Sequence, residues 1–281
     1  MKTRINLNLF LKEAFFFVLT QVLGVFIVLR VYQIPELRET VEAQASELSP
    51  IQFLLSFLIV TLIFLLLLPL FKKSPIFLKV LFGLSLLVGL DVLIGAFLGE
   101  PRALIFSFVL VILINFYPKI IFHNILFSCS LAGIGALLAT SFSPIAVIII
   151  LTVLSVYDLV AVYLTRHMVK MAKIPAEKGV FFGLVLPKKT AMFLKDKPAL
   201  KLGKKSDLFL LGGGDIVLPM VLVGSVAKTN LVDGIIVGLF SLLGLFLMNL
   251  LFSFREKGQA MPGLPPLVLM SVLGYLLITL I

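Results

Sequence analysis

The sequence predicts an all-α membrane protein of about nine transmembrane helices, N-terminus cytoplasmic and C-terminus outside. Three observations carry this. First, 60% of the 281 residues are apolar and only 14% are charged, against roughly 25% charged in soluble domains. Second, several uncharged stretches reach the ~20 residues that cross a bilayer as helix. Third, the basic residues gather in alternate connections.

The spans read as 14–31, 51–71, 76–98, 103–117, 120–141, 144–164, 208–228, 231–252 and 264–281. Proline and charge mark most boundaries: Pro35, Lys72-Lys73-Ser74-Pro75, Glu100-Pro101-Arg102, Pro118-Lys119, Pro144 and Arg255-Glu256-Lys257. The first span follows Lys2, Arg4 and Lys12 and is long enough to cross, with no clear cleavage site after it, so it reads as a span and not a removable signal. The 1–2 connection, with Glu36, Glu39, Glu42 and Glu47, reads as an exposed acidic helical segment.

Of the 24 Lys and Arg residues, 20 fall at the N-terminus and in the 2–3, 4–5, 6–7 and 8–9 connections. Only Arg30, Arg38, Arg102 and Lys228 lie on the other side. The positive-inside rule then makes the basic connections cytoplasmic. This divides the chain into a six-helix part (1–165), a basic loop (166–207) and a three-helix part (208–281). Within the loop, Val180–Leu186 is apolar and β-favouring, whereas Lys188–Ser206 is polar and reads as mobile.

Composition also excludes. The net charge of +10 does not indicate nucleic acid, because nearly half of the basic residues sit in one loop that can lie against anionic lipid headgroups. The single Cys129 rules out an internal disulfide and a cysteine metal cluster, and reads as a small buried apolar residue. His123 is isolated, His167 lies at a span end, and no H-E-x-x-H occurs, so both histidines read as structural or interfacial. No serine in a G-x-S-G context pairs with an intramembrane histidine. No metal and no cofactor is expected.

Three carboxylates lie well inside predicted spans: Asp91, Asp158 and Asp215. A charge at the bilayer centre costs about 2.5–3.5 kcal/mol on insertion scales, and such residues usually face the bundle interior and serve function. Asp158 and Asp215 lie about 10 Å from the same membrane face, counted at ~1.5 Å per residue, on consecutive antiparallel spans. Facing each other, two carboxylates cannot both ionise cheaply, so the pair holds one proton. One base and one acid are what water-mediated peptide hydrolysis needs.

Gly212-Gly213-Gly214 immediately precedes Asp215. Each glycine costs a helix about 1 kcal/mol relative to alanine. Loosened backbone at membrane depth is tolerated where it lines a cavity, and bare glycines let a substrate backbone approach. Pro219 adds a further break. The bland alternative is a glycine-packed helix crossing with a structural aspartate.

These residues resemble the presenilin and signal-peptide-peptidase family of intramembrane aspartyl proteases. Tyr157-Asp158 looks like the family's Y-D motif and Gly212-Gly213-Gly214-Asp215 like its G-x-G-D motif. Pro262-Gly263-Leu264-Pro265 resembles its P-A-L segment, with glycine for alanine. A literal Pro198-Ala199-Leu200 precedes G-x-G-D and is read as coincidence. The resemblance implies a presenilin-like bundle, catalytic Asp158 and Asp215, and a P-A-L-like segment beside them that shapes access. It also implies transmembrane-peptide substrates, either single-span proteins or remnant signal peptides, and the plasma membrane of a microbe for so compact a relative. Membrane lipids are expected partners, nucleic acid is not, and a homo-oligomer is compatible with it. Gly212–Gly214 and Tyr157 would contact substrate; Tyr157 alternatively fills a helix interface.

Three competing readings remain. Intramembrane aspartates and broken helices also serve ion- or proton-coupled transporters, although no inverted repeat is evident. A prepilin-type peptidase shares G-x-G-D but places its second aspartate differently. The blandest reading is a scaffold.

Overall fold

The computed structural model describes residues 6–34, 39, 49–73, 75–99, 101–165, 174–196, 208–254 and 261–280. The acidic residues Glu36, Glu42 and Glu47, the basic stretch from Arg166 with His167, Pro198-Ala199-Leu200 and Arg255–Lys257 lie outside the described residues. The described chain forms α1 (Leu7–Gln33), α2 (Pro50–Lys73), α3 (Pro75–Leu98), α4 (Arg102–Phe116), α5 (Ile120–Ser141) and α6 (Pro144–Leu159). A π-helical turn, Val160–Leu164, extends α6. Then come β1 (Gly183–Pro187), β2 (Leu208–Gly212), α7 (Gly213–Ala227), α8 (Leu231–Ser253) and α9 (Leu264–Leu280). Six of the helices are long and apolar enough to cross a membrane; α4, α7 and α9 are shorter apolar helices.

Side-chain caps start several helices where the sequence supplies a short polar residue. Asn6 accepts from the Leu9 N–H at 3.3 Å, Ser143 from Ala146 at 3.3 Å and Asn230 from Val232 at 3.0 Å. Pro144 follows its cap, where the missing N–H costs nothing.

The centre of the bundle is α5, which packs against α1, α3 and α7. Small residues allow this. A Cβ on Gly133 of α5 would run into the Gly89 carbonyl of α3. Around Met220 of α7, glycines from three helices leave room for one long side chain: Gly24 (α1), Gly135 (α5) and Gly224 (α7). Between apolar helices, where no hydrophobic force distinguishes protein from lipid, such close approach supplies the cohesion. By contrast α2 is peripheral: it touches α3 and α6, and none of its spanning window is buried.

Two features depart from the sequence expectation. The predicted seventh span, 208–228, is not one helix, because Leu208–Gly212 is a strand antiparallel to β1 and α7 begins at Gly213. A short apolar run fits either conformation, and the available partner strand decides. Second, the strand expected over Val180–Leu186 runs Gly183–Pro187, so Pro187 is its last residue and not its terminator.

Candidate active site

The β-ladder leads directly into the acidic residues. Gly183 pairs with Gly212, Val185 with Leu210 and Pro187 with Leu208, and Gly213 N–H donates to Phe182 O at 3.3 Å. Gly183 has to be glycine, since a Cβ there would collide with the Leu211 carbonyl. Gly212 caps α7 in extended conformation, and Asp215 falls in the helix's first turn. The three glycines therefore mark a strand-to-helix junction. Gly213 abuts Phe127 and Leu131 of α5, with Phe127 Cζ 2.9 Å from where a Cβ would stand, while nothing lies within 4 Å of one on Gly214. Four residues on, Pro219 has no N–H to offer the Asp215 carbonyl, so the first turn of α7 is held by fewer bonds.

Asp158 lies near the end of α6, buried to 2% exposure just before the π-helical turn. Its Oδ2 accepts from the Leu264 N–H at 3.2 Å. Leu264 is the first residue of α9, where N–H groups have no partner in their own helix and the dipole is positive. Pro265 and Pro266 follow without cost in that first turn. Next to Leu264, Gly263 presses on the other acid. A Cβ there would stand 2.8 Å from Cγ, Oδ1 and Oδ2 of Asp215. Both carboxylates thus converge on the Gly263–Leu264 peptide.

The other residues singled out by sequence fall nearby. Pro262, Gly263 and Leu264 are buried and Pro265 half-buried, forming the approach to α9. Tyr157 is turned to α2: its ring meets Phe57 edge-on at 5.6 Å and its hydroxyl bonds Thr61. Asp91 is half-buried in α3, and its Oδ1 has no hydrogen-bond partner among the described residues.

Some buried polar residues escape a search restricted to carboxylates inside spans. Glu13 is one, because the predicted boundary at residue 14 left it outside. It is fully buried in α1, where Oε2 accepts from Asn249 Nδ2 at 2.5 Å. Asn124 is another, fully buried in α5 against β1. Uncharged amides at membrane depth are also costly to leave unpaired, and that signal could have found Asn124. Among the described residues no three His, Cys, Asp or Glu side chains gather as metal ligands would.

The description "signal-peptide peptidase, presenilin aspartyl protease" matches residues 14–281, nearly the whole chain. The chain belongs to that family. Two solved structures of a presenilin family intramembrane aspartate protease share its fold. One, in space group C222, has a TM-score of 0.60 at 22% identity and covers 95% of each chain. The other, in P2, has a TM-score of 0.62 at 23% identity, covering 96% of this chain and 98% of that one. A search of curated proteins returns no match. Membership makes the protein a hydrolase of the aspartic type and an integral, multi-pass membrane protein.

Proposed function

We propose that this protein is an endopeptidase that cuts transmembrane helices of single-span proteins or remnant signal peptides, using Asp158 and Asp215 as its catalytic pair. The observation that carries this reading is the convergence of both carboxylates on the Gly263–Leu264 peptide, from two helices and against the start of a third.

The pair shares one proton. The ionised carboxylate takes a proton from water while that water's oxygen attacks the peptide carbonyl carbon. The protonated carboxyl gives its proton to the carbonyl oxygen, producing a gem-diol. Collapse of the diol breaks the C–N bond. The nitrogen leaves as amine with a proton returned through the pair, and one carboxyl again holds a proton.

A helical substrate hides its peptide bonds in its own ladder and must first unwind. Its freed backbone then needs partners, which strand addition supplies. The outer edge of β1 does not offer them, because side chains already occupy it. Among the described residues, an uncovered edge position lies in β2 at Leu210. By ladder alternation Leu210 turns its N–H and C=O away from β1, where no described side chain takes them up. A strand paired there runs on toward Gly214, the junction glycine with open space beside it, and the acids. Pro262 and Pro265 lie beside the approach, whereas Tyr157 fills the interface between α2 and α6. The basic connections face the cytoplasm, so cleavage occurs near the inner leaflet.

The test is direct. Purified protein is incubated with a labelled membrane-spanning peptide, with and without a transition-state aspartyl inhibitor. Inhibitable cleavage that disappears in both Asp158→Asn and Asp215→Asn is expected. Cleavage surviving either substitution would remove the dyad assignment.

A further inference from the structure

Strand β1 is paired on both sides, although only one side is a strand. The Gly213–Phe182 bond and the ladder register make 184 and 186 the positions that exchange hydrogen bonds with β2. Gly183, Val185 and Pro187 therefore direct their backbone polar groups outward. All three outward carbonyls are taken by side chains. His123 Nε2 donates to Gly183 O at 3.1 Å, Asn124 Nδ2 to Val185 O at 2.8 Å, and Lys12 Nζ to Pro187 O at 2.9 Å. Asn124 Oδ1 also accepts from the Val185 N–H at 3.0 Å, so one amide meets both backbone groups as a neighbouring strand would.

The holders are themselves fixed. His123 and Asn124 are fully buried near the start of α5. The His123 ring stacks near Phe82 (5.3 Å) and Phe127 (5.8 Å), and Phe127 in turn abuts Gly213. Lys12 of α1 also donates to Lys188 O at 3.0 Å and lies over the Phe193 ring. The chain after β1 returns to the same place: Ile120 N–H donates to Lys195 O at 3.1 Å, beside a Lys119–Asp196 bridge.

We infer that Asn124, flanked by His123 and Lys12, is a positioning residue that fixes the register of β1 and, through the ladder, of β2, and so selects the substrate peptide bond that is cut. The reason is geometric. Side chains alternate along a strand, so a slip of one residue would reverse every side chain and is resisted wherever a face is buried. All five β1 residues are buried. Asn124 adds a restraint at the strand's centre that recognises one residue, Val185. With β1 held, Leu211 and Phe209 have fixed partners, and Asp215 follows Leu211 by four residues. A substrate strand on the outer edge of β2 inherits that register.

This inference rests on the proteolytic reading above, and its test separates the two. A labelled transmembrane peptide is cleaved by wild type, Asn124→Leu, Asn124→Asp and Val185→Pro, and the products are mapped by mass spectrometry beside thermal unfolding of each protein. Val185→Pro removes only the outward N–H and leaves the bonds to β2 in place. Asn124→Leu and Val185→Pro are expected to spread cleavage over neighbouring bonds, with the share at the principal bond falling roughly threefold or more. Asn124→Asp keeps an acceptor for the Val185 N–H and is expected to be intermediate. An unshifted cut position in whichever variants fold, at any rate or unfolding temperature, overturns the inference and leaves Asn124 a stabilising residue only. Asp158→Asn runs alongside: if it still cleaves, the dyad assignment has failed, not the register argument.

Discussion

Strands β1 and β2 belong to one ladder but are treated differently by the fold. Every residue of β1 is buried and its outer edge is closed by α1 and α5. In β2 only Leu211 is fully buried, and among the described residues no side chain takes up the outward groups of Leu210. Exposed strand edges invite pairing, and proteins usually blunt them. Here one edge is blunted by buried side chains while the other, which ends three residues before Asp215, carries no such cover at Leu210 among the described residues. A rigid strand beside an open one is the arrangement a template needs.

The largest effect should come where β2 delivers its acid. Asp215→Ala is expected to lower cleavage of a labelled transmembrane peptide roughly 10³-fold or more, with unfolding little changed. At the open edge, Leu210→Pro should reduce cleavage about 10- to 100-fold, because it removes an outward donor without touching the ladder. Its unfolding temperature should stay near wild type; a large drop would show that the Leu210 N–H serves the fold. Gly263→Ala presents a methyl group to the Asp215 carboxyl from 2.8 Å, and a displaced acid should lower turnover about tenfold with substrate affinity unchanged. The smallest effect is expected for Tyr157→Phe, which removes the hydroxyl from Thr61 while keeping the ring on Phe57. About 1 kcal/mol of stability and less than about threefold in rate are expected from one hydrogen bond.

Much of this was visible in the sequence, and what was hidden has a physical reason. Long uncharged runs predict helices wherever the bilayer offers no partner to unpaired backbone, and α1 to α6, α8 and α9 follow those runs. Asp158 and Asp215 stood out because ionisable groups are rare there. Leu208–Gly212 was misread since five apolar residues before glycines carry no periodicity, and the strand exists only because Gly183–Pro187 meets it. Glu13 was missed through a boundary placed at residue 14, seven residues after α1 begins at Leu7. Asn124 looks unremarkable beside His123 until β1 is laid along α5.

Met220 shows how such a bundle constrains its own variation. Its thioether occupies space left by glycines on α1, α5 and α7. Enlarging any one of Gly24, Gly135 or Gly224 obstructs the same side chain, and shortening Met220 empties the shared space. These four positions should therefore drift as a coupled set: an alanine at Gly135, harmful alone, becomes tolerable once residue 220 is smaller, and a double-mutant cycle would register that dependence as non-additivity.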